Sequence, residues 1–460
     1  MNKRQGDDFV MEKLDRAFAN TEWMEHFPHT VVRNLPIIRS DHGPIILDTD
    51  LPQHFRHRPF RFEWMWTTHP ECEIIINSTW SKTHIGSYAY LFGKKLTSVR
   101  DALRRWNKEV FGKVEIEIAK KKEELKYLQE NINSVADVRR EAEQREQLDQ
   151  LLHREEIMWS QKARKEWDLK GDRNTKYFQA VVRNRRRHNR IIQIKNEEGV
   201  WISDQAQIEH CFCDYFQKLY DDTPQFSAEE IYLQLNCLQI PTLTDQQRST
   251  LDQPVEDAEI LQAVQQLGPL KAPGLDGIPA AFYQKFWPTV QQDILNMVKA
   301  FFHSGFLLKS LNQTFISLIP KVSTPERLIQ FRPISLCNVS YKIISKILVN
   351  RLKPLMDSLI TPFQNAFIQG RQITDNIILA HEIFEYLKKK RKGKWGFAAL
   401  KLDMNKAYDR ISWPFLTAVL RKMGFSTKWI TWVSQCVQTV SYSLLLNGSP
   451  TETFKPSRGL

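Results

Sequence analysis

The chain has 460 residues, 42% of them hydrophobic, enough for about three domains with real cores. Lys and Arg number 65 against 53 Asp and Glu, and the net charge of +12 excludes an acidic disordered tail protein. Such a surplus points to polyanions, nucleic acid among them.

No run of about 18 apolar residues occurs, so no membrane-spanning helix is expected. The N-terminus, MNKRQGDDFVMEKLD, has no apolar core of the signal-peptide kind. Residues 1–50 mix short apolar runs with polar turns, and Ile45-Ile46-Leu47 reads as the edge of a β-rich domain. From Phe55 to Trp80, aromatic residues stand beside arginine: Phe60, Arg61, Phe62, Trp64 and Trp66. Between Val114 and Trp159 apolar residues recur every three or four positions amid dense charge. That period predicts an amphipathic helical hairpin with its turn at Asn131 to Ala136. Arg183, Arg185, Arg186, Arg187 and Arg190 form the densest basic block, with Trp167, Tyr177 and Phe178 nearby. Arginine can grip phosphates while rings stack on bases, and the block is otherwise a solubilising surface turn.

Residues 191–202 predict a small hairpin and 204–237 helix. Cys72, Cys211, Cys213, Cys237, Cys337 and Cys436 are scattered, which fits a reducing compartment. His210-Cys211-Phe212-Cys213 is too tightly spaced for a zinc site and reads as buried thiols on a helix face. Neither a phosphate-binding glycine loop nor a G-x-S-x-G elbow is present. Past residue 250 the pattern alternates: helix at 260–267, a stiff loop at 271–279, helix at 280–308, a strand ending at 317–321, and helix at 336–358. Trp395 to Leu402 reads as an apolar strand ending at Asp403, and Met404 as the opening of a helix running to Met423. Alone, a strand-end Asp is a helix cap. It is also where a polymerase holds metal, since Mg²⁺ takes one or two protein oxygens and completes its shell with water and phosphate.

Lys401-Leu402-Asp403-Met404-Asn405-Lys406-Ala407-Tyr408-Asp409-Arg410 resembles motif A of the reverse transcriptases of LINE-type (non-LTR) retrotransposons, particularly plant ones. Phe331 to Asn338 resembles the family's RPISL motif, and Gln364 to Arg371 its Q-x-x-F-x-x-G-R motif. Residues 271–279 are similar to its KAPGPDG motif, with Leu275 in place of proline. The four occur in the family's order over about residues 255–460. The resemblance implies an α+β protein: a helical N-terminal extension and hairpin, then fingers and a partial palm of a right-hand polymerase. Residues 1–50 would be the end of an endonuclease-like domain, 51–250 a helical basic linker region, and 251–460 the fingers and truncated palm.

It also implies roles. Asp403 would be catalytic and bind Mg²⁺, beside Lys321 and Arg332, which would neutralise the triphosphate. Tyr408 would be the steric gate against a ribose 2′-hydroxyl. Gly370 and Arg371 would line the nucleotide and template pocket, while Asp409 and Trp413 would pack. The partners implied are an RNA template, a DNA primer and deoxynucleoside triphosphates, in a nuclear or cytoplasmic setting. Arg39-Ser40-Asp41-His42-Gly43-Pro44 is similar to the end of the family's apurinic-type endonuclease, so Asp41 and His42 would be remnants of that site. In the family, paired aspartates follow the position of Leu460, so the chain is expected to be inactive alone. Tyr220-Asp221-Asp222 mimics that pair but precedes Thr223-Pro224 and reads as a capped turn. A second reading is a non-catalytic nucleic-acid-binding remnant; a third is a helical interaction protein built on residues 83–165.

Overall fold

The computed structural model describes residues 17–27, 30–34, 44–49, 59–164, 175–221, 226–390 and 394–459. Contacts divide the chain into Met1–His57 and Arg58–Leu460. In the first unit, α1 (Thr21–His26) opens at Asn20, whose side-chain oxygen accepts the Trp23 amide. One of the helix's unpaired N–H groups is thereby satisfied. β1 (Val31–Asn34) and β2 (Ile45–Asp48) pair antiparallel, with Val31 opposite Asp48. The β structure expected near residue 45 is this ribbon. Asp41 and His42 lie outside the described residues.

The second unit begins with an aromatic core. Phe60, Phe62, Met65 and Trp66 are buried, as are Trp80 at the end of α2 (Pro70–Trp80) and Trp106 at the end of α3 (Tyr88–Trp106). An indole buried for its area still needs an acceptor for its N–H. Each finds one: Asn107 Oδ1 for Trp66 at 2.9 Å, Asp293 Oδ2 for Trp80 at 2.8 Å, and Glu71 Oε2 for Trp106 at 2.8 Å. The expected hairpin is α4 (Val114–Glu130) and α5 (Val135–Ala163), with Ser134 capping the second helix through the Asp137 amide. Ile118, Leu148 and Met158 form its buried stripe.

α6 (Thr175–His188) carries the basic block and lies along α5. β3 (Ile194–Lys195) and β4 (Trp201–Ile202) form the small antiparallel hairpin. Then follow α7 (Gln205–Tyr220), α8 (Ala228–Leu235), α9 (Asp245–Leu251), α10 (Asp257–Gln265), α11 (Ala280–Lys285) and α12 (Trp287–Ser304). The loop at 271–279 is stiff because its glycines leave no room. A Cβ on Gly277, at φ +74°, would lie 2.1 Å from the Phe60 carbonyl oxygen, and one on Gly274 would lie 2.4 Å from Asn338 Oδ1. Asn338 closes the loop from the other side: its Oδ1 accepts the Asp276 amide and its Nδ2 donates to the Leu311 carbonyl.

β5 (Gln313–Pro320) and β6 (Phe331–Leu336) pair antiparallel, placing Ile319 opposite Arg332. After α13 (Val339–Leu352), α14 (Met356–Leu359), α15 (Ile373–Lys389), α16 (Trp413–Lys422) and α17 (Thr427–Gln438), β7 (Ser441–Leu446) joins β5 in parallel. β8 (Ser449–Pro450) closes the sheet in the order β6-β5-β7-β8. Asn447 and Gly448 turn that last hairpin with φ of +52° and +89°, as an Asn-Gly pair does readily. Asn447 also accepts the Ile191 amide on Oδ1 and donates to the Ile191 carbonyl, tying the hairpin to the segment just past the basic block.

Two expectations need correction. Trp395 to Met404 is not a strand: among the described residues nothing pairs with it, and Trp395 and Leu402 are 82% and 83% exposed. An apolar run marks a strand only where a neighbour takes up its backbone hydrogen bonds, and none is alongside here. The helix expected from Met404 is interrupted as well. Residues 405–407 form a turn with Lys406 at φ +53°, Tyr408–Arg410 a single 3₁₀ turn, and helix resumes only at Trp413. Pro414 in the first turn of α16 accounts for the restart, since proline disfavours helical backbone before it and is at home where a helix begins.

Candidate nucleotide site

Asp403 is exposed within the unpaired segment and precedes the turn that carries the rest of motif A. Tyr408, half-exposed on that turn, meets the ring of Phe367 edge to face with centroids 6.0 Å apart. Phe367 belongs to the Gln364–Arg371 segment, so two separate motifs converge on one spot. Its backbone sits at φ +66°, a conformation a bulky residue seldom adopts, and its ring is 86% exposed.

The turn is anchored from α7. Lys406 Nζ donates to Tyr215 Oη at 2.7 Å and lies 4.5 Å from the centre of that ring. Tyr220 Oη donates to Asp409 Oδ1 at 2.9 Å. Burial pushes the Tyr220 phenol's pKa up, and the adjacent Asp409 carboxylate pushes it further, so it stays a donor. Burial likewise raises the Tyr215 phenol, while Lys321 and Arg410 pull it back. Lys321, just beyond β5, is thereby within electrostatic reach of the phenol that holds motif A. Arg332 stands exposed on β6 opposite Ile319, two register positions from Lys321.

Gly370, at φ +82°, has open space where a Cβ would be, so it is glycine for its backbone angle alone. Arg371 folds inward rather than presenting its charge outward: its side chain is 17% exposed. The guanidinium donates to the carbonyls of Thr361 (2.6 Å), Gln364 (2.8 Å) and Ile360 (3.3 Å) and to Asp357 Oδ1 (3.0 Å). Four bonds from one planar fork brace the loop that presents Phe367.

The basic block divides in the same way. Arg185 donates to the carbonyls of Lys162 and Ala163 at the C-terminal end of α5, where a cation suits the unpaired carbonyls. Arg183, Arg186 and Arg187 are exposed on α6, and Arg190 is half-buried after its end. Tyr220 ends α7 with Asp221 as its C-cap, and Asp222 lies outside the described residues. Trp413 donates its indole N–H to the Gly459 carbonyl at 2.8 Å, and Asp409 accepts from the Tyr220 hydroxyl. All six cysteines are free; Cys211 and Cys213 are half-buried on α7, their thiol pKa values raised by burial. Among the described residues no group of three or more His, Cys, Asp or Glu gathers as a metal site, and no helix is long and apolar enough to cross a membrane.

The anchoring roles of Tyr215, Tyr220 and Phe367 escape sequence reasoning. Tyr215 and Tyr220 lie nearly two hundred residues upstream of the turn they hold, and only the fold brings them there. Phe367 carries a signal in its place within the Q-x-x-F-x-x-G-R pattern, but its contact does not.

Residues 319–460 match the family described as reverse transcriptase (RNA-dependent DNA polymerase). The chain is 27% identical over 291 residues to the transposon TX1 uncharacterized 149 kDa protein of Xenopus laevis, covering 63% of this chain and 22% of that one. It is 24% identical over 238 residues to a probable RNA-directed DNA polymerase from transposon BS of Drosophila melanogaster, covering 51% and 25%. It is 26% identical over 189 residues to the retrovirus-related Pol polyprotein from type-2 retrotransposable element R2DM of the same fly, covering 41% and 17%. The chain thus spans a quarter or less of the length of these relatives.

Proposed function

We propose that this chain, whose residues 319–460 carry a reverse transcriptase domain of the non-LTR retrotransposon kind, is part of an RNA-directed DNA polymerase. Its chemistry is template-directed nucleotidyl transfer to a DNA primer from deoxynucleoside triphosphates. The observation that carries this reading is the meeting of Tyr408 with Phe367, which joins the motif A turn to the Q-x-x-F-x-x-G-R loop. An aromatic side chain five residues past Asp403, held upright by a second ring, suits a gate against the ribose 2′-hydroxyl. Lys321, just past the end of β5, and Arg332, on the adjoining β6, supply positive charge for a triphosphate.

Reverse transcriptases use Mg²⁺, and here Asp403 would hold it. Bound there, Mg²⁺ would supply Lewis-acid polarisation of a phosphoryl group and would lower the pKa of an attacking hydroxyl. One exposed carboxylate fits the few protein oxygens that Mg²⁺ takes when phosphate and water fill its shell. Residues 1–50 fit an endonuclease remnant and 51–250 a basic linker region, with Arg183, Arg186, Arg187 and Arg190 as the RNA-gripping face. The second reading, a non-catalytic nucleic-acid-binding protein, is favoured by the exposure of Asp403 on an unpaired segment.

Fusing the paired-aspartate segment of a related element after residue 460 tests the first reading. Mg²⁺-dependent extension of a DNA primer on RNA is expected, and Asp403→Ala should abolish it. Extension surviving that substitution removes Asp403 from the mechanism. RNA binding with steep salt dependence but no extension by the fusion selects the second reading.

A further inference from the structure

The end of α7 makes contacts that lie outside the segment matched to the reverse transcriptase family. Tyr220 is buried, its ring packed against Phe216, Tyr442 and Phe454 at centroid distances of 6.2, 5.1 and 6.4 Å. From that rigid socket its hydroxyl reaches Asp409, while Tyr215 holds Lys406. The two bonds bracket residues 406–409, with Tyr408 between them and Asp403 three residues before. Lys406 needs such a hold, because left-handed backbone is unfavourable for a residue with a Cβ. The far side of the turn is tied to the same helix end. The Tyr220 carbonyl accepts the amides of Ser457 and Arg458, and the Gly459 amide donates to the Ile411 carbonyl at 2.8 Å.

We propose that Tyr215 and Tyr220 are positioning residues of the nucleotide site, fixing the 406–409 turn to α7 and with it the backbone that carries Tyr408 and Asp403. The proposal rests on the reading of residues 403–408 as a nucleotide site. It makes α7, upstream of residue 319, part of the frame on which that site is built. Neither tyrosine touches the reacting atoms; each acts through the turn.

Amide hydrogen exchange on the full chain tests the tether directly. Tyr220→Phe keeps the packed ring and removes only the hydroxyl, and should speed exchange at 404–410 about tenfold while α12 and α13 stay unchanged. Asp409→Ala should do the same, and the double variant should be no faster than either single one, because one bond is being removed twice. Asp409→Asn keeps an acceptor oxygen and should stay near wild type. Unchanged exchange at 404–410 in Tyr220→Phe, or multiplied effects in the double variant, overturns the proposal. A second arm measures binding of a fluorescent deoxyadenosine triphosphate with Mg²⁺. Wild-type binding that Tyr220→Phe weakens about tenfold supports positioning, and equal binding by both proteins overturns it. If the wild type binds no triphosphate, the nucleotide-site reading fails, and exchange at 404–410 alone decides whether the tyrosines hold the turn.

Discussion

The ring of Phe367 stands edge-on to the phenol of Tyr408, with centroids 6.0 Å apart, and both rings are exposed to the solvent that a nucleotide would displace. In a polymerase completed as described above, Tyr408→Val should raise the use of ribonucleotides relative to deoxynucleotides by tenfold or more, on the order of 1.4 kcal/mol of discrimination. Phe367→Ala should move the same ratio in the same direction but less, because it removes only the support of the gate. The check is kcat/KM for matched ribo- and deoxynucleoside triphosphates. An unchanged ratio in Tyr408→Val would deny that residue the role of gate.

Arg371 is expected to matter as a brace. Arg371→Lys keeps the charge but loses the planar fork, leaving at most one or two of the four bonds, at a cost of about 2 kcal/mol to the local structure. Amides between 360 and 372 should exchange faster in that variant, with α12 unaffected. If the loop exchanges as in wild type while nucleotide binding falls, the planar guanidinium contacts the nucleotide itself rather than bracing the loop.

Stability should depend on pH through Asp276, whose carboxyl accepts the Ile278 amide inside the stiff loop. Burial raises its pKa to about 6, outweighing that hydrogen bond and the positive charges of Lys342 and Arg100. The folded state therefore holds this proton more tightly than the unfolded chain, so the contribution to stability grows as pH falls from about 6 toward the ordinary carboxylate range. Above pH 6 the ionised, desolvated carboxylate is a cost. Asp276→Asn should thus be more stable than wild type at pH 7.5, on the order of 1 kcal/mol, with the difference shrinking by pH 5. Melting curves at both pH values decide it, and a gap that widens on acidification would contradict the sign.

The arginines of the basic block should separate into two kinds. Arg186→Ala and Arg187→Ala should weaken RNA binding and flatten its salt dependence by about one unit of slope each. Arg185→Ala should lower stability by about 1–2 kcal/mol, because the last carbonyls of α5 lose their donor. Measured salt slopes and melting temperatures together test the division.

The sequence by itself determined the elements whose signal is local. The three-to-four periodicity between Val114 and Trp159 places α4 and α5, and the Asn-Gly pair at 447–448 sets the β7–β8 turn. Three of the four motifs, at 331–338, 364–371 and 401–410, fall within the segment that matches the reverse transcriptase family, because motif residues report chemistry regardless of their neighbours. What depends on distant partners was decided only in three dimensions. Apolar residues 395–402 suggest a strand, yet among the described residues no strand pairs with them, and the segment stays exposed. Arg371 and Arg185 look alike in sequence as free cations, but carbonyls folded within reach turn both into braces. Tyr220 lies far upstream of Asp409, and only packing beside Tyr442 and Phe454 brings its hydroxyl to the turn it holds. Periodicity and turn chemistry act over a few residues; pairing, capping and anchoring depend on what the rest of the chain places alongside.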